Sequence, residues 1–266
     1  VAGIYLEFAD TLFDPPKESD EPNYASAREL YQKALDLGLL PEKRLEVELR
    51  IARCLLEQGG PALLEGACAA HAAFLDDHPE SAHDLEARFR LGECLLARKE
   101  YAKARQAWRE LLTRYAAADS PRIAEVAFRL AETWRIPQPE SLRDLVQGVA
   151  VLREFLTRYP DHELAAKAHL RIAQSYMHRT KQADAIEALT PFLADPRYEA
   201  AEEIAEARNL LGQAYRERKQ YDDAIAAWQA FLVKHPADPA WSAKTCWTPT
   251  APSSSRIRPK GGIPSM

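Results

Sequence analysis

The chain repeats itself. Residues 90–108, RLGECLLARKEYAKARQAW, recur at 210–228 as LLGQAYRERKQYDDAIAAW. Leu91, Gly92, Arg98, Lys99, Tyr101, Ala104, Ala107 and Trp108 meet Leu211, Gly212, Arg218, Lys219, Tyr221, Ala224, Ala227 and Trp228 at one constant offset of 120 residues. Self-similarity at a fixed period confines a chain to stacked copies of one small unit. Anchoring on the small residue of each Leu-Gly-like pair finds Ala9, Ala52, Gly92, Ala131, Ala173 and Gly212, at steps of 43, 40, 39, 42 and 39.

Every anchor carries the same frame. Three positions on lies Leu12, Leu55, Leu95, Trp134, Tyr176 or Tyr215, which is the spacing of one helical face. A second helix is keyed by a small residue, at Ala27, Ala67, Ala104, Gly148, Ala185 and Ala224. Four residues further comes a bulky one, at Tyr31, His71, Trp108, Leu152, Leu189 and Trp228, and apolar pairs follow one turn later. Small residues in both helices let the backbones approach while the bulky residue fills the space beside them. Prolines at 79, 160 and 236 then end the unit. One such pair cannot cover its own apolar faces, so neighbours must stack.

The spacing therefore predicts an all-α chain of six helix pairs, with units near 1–40, 41–80, 81–119, 120–160, 161–198 and 199–236. Anchor-to-key distances of 18, 15 and 17 in three units, against 12 in the others, predict lengthened turns at DPPKESDEPN, GGPALLEG and RIPQPESLRDL. From 237 to 266 the period is lost in a Pro-, Ser-, Thr- and Gly-containing tail with no acidic residue after Trp241. That segment reads either as a disordered linker or as a truncation or reading-frame artefact.

Leu-Gly-x-x-Tyr, then Tyr-x-x-Ala-x-x-x-Trp, then Pro, as at Leu211, Gly212, Tyr215, Tyr221, Ala224, Trp228 and Pro236, resembles the tetratricopeptide repeat (TPR). The resemblance covers 1–236, departs from the family in its longer period, and implies a right-handed α-solenoid. The style of FLTRYPDHELAAKAHLRIAQSY is similar to bacterial envelope repeat proteins of the outer-membrane assembly and Tol-Pal-associated type. More weakly, YLEFADTLFDPP followed by such units resembles the repeat region preceding macroglobulin-like domains in large bacterial proteins. These likenesses imply an envelope or periplasmic setting, which the residues alone do not assign.

In such a stack the first helices line the concave surface, and positions three before, one after and four after each anchor face a partner. That implied face holds Leu49, Leu56, Phe89, Leu96, Phe128, Leu170 and Met177, fading to Arg135 and, in the last unit, to Asn209 and Arg216. Glu86, Glu93, Glu125 and Glu132 form an acidic rim, with Glu46 and Glu206 at its ends. One reading is a groove for an amphipathic or basic-flanked peptide or helix. The other is that the apolar stripe is core and the glutamates an ordinary solvated face. A purely structural spacer or assembly module of a larger protein is the alternative function.

Other classes have less support. A formal charge of −5 offers no general attraction to nucleic acid, and no run of eighteen apolar residues inserts into a membrane. Cys54, Cys68, Cys94 and Cys246 form no C-x-x-C pair. Glycine-rich phosphate loops, H-E-x-x-H and G-x-S-x-G are absent. The richest titratable stretch, His71 to Asp84, lacks the i, i+4 spacing of helical metal ligands. The expectation is a non-enzymatic chain with no cofactor, no metal and a protein partner.

Overall fold

A computed structural model describes residues 1–17, 21–118 and 120–234. Among these residues the chain is all-helical, without a strand. The first pair is α1 (Ala2–Phe13) with α2 (Tyr24–Asp36), and the second is α3 (Pro41–Gln58) with α4 (Pro61–Asp77). There follow α5 (Asp84–Ala97) with α6 (Tyr101–Arg114), and α7 (Pro121–Arg129) with α8 (Leu142–Arg158). The last are α9 (Ala165–His178) with α10 (Gln182–Ala194), and α11 (Glu203–Glu217) with α12 (Tyr221–Lys234). Each helix packs on the next in the chain, as a solenoid requires. The tail at 237–266, Cys246 and Pro236 lie outside the described residues.

Local chemistry sets the boundaries. Asn23 accepts from the Ser26 backbone to start α2, and Ser141 with Asp144 forms a reciprocal capping box on α8. Pro41, Pro61 and Pro121 stand in the first turns of α3, α4 and α7, where a missing N–H costs nothing. Three pairs turn through an identical two-bond motif. The Lys99, Thr180 and Lys219 amides donate to the carbonyls of Leu96, Met177 and Arg216, and the next amides donate to those of Leu95, Tyr176 and Tyr215. All three residues adopt positive φ, at 61°, 54° and 62°.

Two of the expected long turns are shorter than their sequences suggest. In GGPALLEG only Gly59 and Gly60 form the turn, both at positive φ, and Pro61 already begins α4. The extra residues lengthen a helix instead of a loop. In RIPQPESLRDL the turn ends at Ser141, and Leu142 onward is helical. DPPKESDEPN falls partly outside the described residues. The fourth unit is irregular: α7 stops at Arg129 and the chain tightens into a 3-10 segment, Leu130–Trp134. Arg135 then takes φ 58°, and Ile136 occupies the space that a Cβ on Gly148 would need.

The core lies between units. Phe89, Trp108 and Leu111 of the third unit pack with Ile123, Val126 and Leu130 of the fourth. Phe128, Leu152 and Phe155 pack with Ala168 and Ile172 of the fifth, and Leu170, Leu189 and Phe192 with Ile204 and Ala207 of the sixth. Each such cluster removes several large side chains from water, so the stacking, not the isolated pair, carries the hydrophobic stabilisation.

Candidate functional site

The apolar stripe of the first helices is mostly not a surface. Phe89 is 0% exposed, Phe128 3% and Leu170 5%, and all three are interior members of the clusters between units. The expectation that they line a groove is corrected: side chains three before the anchor point into the seam with the neighbouring unit. Leu96 is half-buried against the Phe89 cluster, Leu56 against Ala67, Cys68 and Cys94, and Leu49 against Phe74, Leu75 and Ala87, and Met177 is half-buried as well. Arg135 leaves the stripe altogether, because it sits in the turn after the 3-10 segment and its guanidinium lies 4.6 Å from the Tyr101 ring centroid.

What the first helices do present is a ladder of ion pairs. Arg50, Arg90, Arg129 and Arg171 all lie two residues before an anchor. Acidic residues lie six before it, at Glu46, Glu86, Glu125 and Glu206, or one after it, at Asp10, Glu93 and Glu132. Positions −6, −2 and +1 share one helical face, so the arginines reach acids within their own unit, as Arg50, Arg90 and Arg129 do, or in the preceding unit, as Arg50, Arg129 and Arg171 do. Arg50 bridges Glu46 at 3.0 Å and Asp10 of α1 at 2.5 Å. Arg90 bridges Glu86 and Glu93, each at 2.7 Å. Arg129 of α7 pairs with Glu93 of α5 and, at 3.3 Å, with Glu132. Arg171 of α9 continues the series to Glu132 at 2.8 Å, and Gln174 reaches Glu206 of α11 at 2.8 Å. Arg122 adds a link between Glu86 at 3.1 Å and Glu125.

The expected acidic rim is therefore neutralised. Glu86, Glu93, Glu125 and Glu132 meet four arginines, 90, 122, 129 and 171, on the same face. Burial works against the charge of Arg90 and Arg129, but the glutamates around them outweigh it and raise both above the ordinary guanidinium range. The guanidinium planes also cover aromatic faces. Arg122 lies 4.3 Å from the Phe89 ring centroid and Arg171 4.6 Å from that of Phe128. Buried aromatics and half-buried charges thus form one layered seam. A repeating signal in the sequence, Arg at −2 in four consecutive units, could have disclosed this ladder. Attention to the glutamates alone missed it.

Elsewhere the surface is shallow. A groove of about 570 Å³ runs along α6, lined by Arg88, Arg105, Gln106, Arg109 and Arg114 among others. Arg88 and Arg114 are already engaged by the buried Asp84. Burial would raise the Asp84 pKa, but hydrogen bonds from Arg88 and Tyr115 overcome it and hold the carboxyl below its usual range. His71, in the place that Trp108 takes one unit later, is buried, whereas His78 packs against Phe74. Among the described residues no three His, Cys, Asp or Glu side chains are grouped to hold a metal, and no helix is long and apolar enough to cross a membrane.

Comparison with known proteins agrees with this geometry. Residues 86–117 and 170–240 each match the tetratricopeptide repeat family. No curated protein matches the sequence. Among solved structures, BtubC (BKLC) from P. vanneervenii is similar at 16% identity and a TM-score of 0.58, over 89% of this chain and 97% of that one. The apo form of RapI is similar at 14% identity and a TM-score of 0.62, over 82% and 62%. A Podosopora anserina putative kinesin light chain with nearly identical TPR-like repeats gives 14% and 0.54, over 75% and 100%. At such identities the likeness is one of fold. The third, fifth and sixth units thus match tetratricopeptide repeats, and the chain as a whole has the stacked helix-pair fold of TPR-like solenoids.

Proposed function

We propose that this chain is a non-catalytic scaffold that holds a protein segment across its first-helix face. The observation that carries the reading is the ladder from α5 to α11: guanidinium–carboxylate pairs from α5 to α9, carried on to α11 by the Gln174 amide donating to Glu206. Because the stripe beneath it is filled core, the partner is recognised by polar contacts and not by apolar side chains sinking between helices. Its carboxylates and ammonium or guanidinium groups exchange with those of the ladder, so a segment of mixed charge fits better than a purely basic one. An envelope setting rests on the sequence style of residues 155–176 alone.

Cross-linking in the native source followed by mass spectrometry tests this reading. Two double variants, Arg122→Ala with Glu125→Ala and Gln174→Ala with Glu206→Ala, remove ladder groups in pairs and leave no lone buried charge. Loss of the captured partner with an unchanged melting temperature supports the first-helix face. Retention of the partner by both variants overturns it.

A further inference from the structure

In each later unit the first helix docks on the unit before it through the same register. The residue five before the anchor is Val47, Ala87, Val126, Ala168 or Ala207, and all five are at most 3% exposed. One turn on, Ile51, Leu91, Leu130, Ile172 and Leu211 pack into the same seams. In α1, counted from Ala9, those positions are Ile4 and Phe8, and the position eight before the anchor is Val1. Ile4 is 58% exposed, Phe8 61% and Val1 85%. One side of α1 thus carries the apolar residues of a unit-to-unit docking face, and among the described residues nothing covers them.

The far end carries the matching half. Trp108 is fully enclosed because α7 supplies Ile123 and Val126, and the 3-10 segment after it Leu130, over the ring. Trp228 stands in the same place on Gly212, yet is only half-buried. We propose that a second copy of this chain stacks end to end, its α1 laid on the α11–α12 pair so that Ile4 and Phe8 approach Trp228 as Val126 and Leu130 approach Trp108. The proposal is independent of any partner on the first-helix face. The contact is heterologous, so each copy keeps one free end and association is open-ended, rising with concentration.

The test places a photoreactive benzoylphenylalanine at Phe8, an exposed aromatic outside the core cluster of the first unit, in the full chain. Irradiation at about 100 µM, followed by peptide mapping, is expected to join position 8 to residues 203–234 of another molecule. Sedimentation velocity with Ile4→Glu and Phe8→Glu together is expected to show monomer where the parent shows larger species, with helix content unchanged by circular dichroism. Mixing that variant with Trp228→Glu is expected to restore dimers only, since one intact end remains on each. Cross-links from α1 to α1, cross-links to residues 235–266 of the same molecule, or a parent that stays monomeric would each overturn the proposal.

Discussion

Trp108 lies flat against Gly92, so that a Cβ on the glycine would overlap the indole Nε1. The indole N–H donates to the Phe89 carbonyl at 3.1 Å, which fixes the ring in place. Gly92→Ala is therefore expected to cost on the order of 3 kcal/mol through overpacking, and Trp108→Ala about 3–5 kcal/mol through the cavity it leaves. The double variant is expected to cost less than the sum, because removing the indole makes room for the methyl group. Gly212→Ala is the internal control: Trp228 is equally close but half-buried and can shift, so denaturant unfolding should report a smaller loss there.

His71 makes stability depend on pH. Its ring is buried with neither nitrogen hydrogen-bonded, and desolvation, with Arg90 nearby and only Glu86 opposing, lowers its pKa from 6.5 to about 4. Between those values the unfolded chain binds a proton that the folded chain refuses. Stability conferred by the neutral ring is thus complete above about 6.5 and drains away as pH falls to about 4. At about 1.4 kcal/mol per unit the loss is roughly 3 kcal/mol. His71→Leu, which matches the leucines at this position in the fourth and fifth units, should flatten most of that slope in melting curves taken across the window. His169, also lowered by burial, is expected to contribute a smaller slope of the same sign.

The helix count and the pairing were legible because the repeat is a packing rule written in side-chain size. Gly92 under Trp108 and Gly212 under Trp228 announce the helix crossing before any coordinates do. Surface assignment was not legible in the same way. A residue three before the anchor faces either solvent or the next unit, depending on a rotation of the helix that periodicity alone leaves open. Phe89 settles on the inner side since Ile123 and Val126 are there to receive it. The acidic rim misled for a related reason: charge on one helix says nothing of its neighbour's charge, and Arg129 and Arg171 come from the following units.

Phe89 separates core from groove in a single measurement. It is fully buried, 6.4 Å from the Trp108 ring, with Arg90, Arg122 and Arg129 over its faces. Phe89→Ala is expected to cost about 3–5 kcal/mol and to lower the melting temperature whether or not a partner is present. Capture of a partner by the surviving folded fraction should be unchanged, since the side chain touches no solvent. A stable variant with lost capture would return Phe89 to the surface.

Backbone strain in the inter-helix turns can be relieved by one substitution. Lys99, Thr180 and Lys219 each end a first helix in the left-handed region, where an L-residue pays about 1–2 kcal/mol that glycine does not. Glycine in turn loses about 0.5–1 kcal/mol more chain entropy on folding. The difference favours glycine, and most at Thr180, whose β-branch crowds the carbonyl beside it. The Thr180 side chain contacts only the neighbouring Arg179 carbonyl, at 2.8 Å on the exposed surface, so little packing is given up. Thr180→Gly is expected to raise stability by about 1 kcal/mol, and Lys219→Gly by somewhat less, both read as an upward shift of the denaturant midpoint at constant slope. A fall in the midpoint at Thr180 would mean that the turn is held by its side chain and not by its backbone.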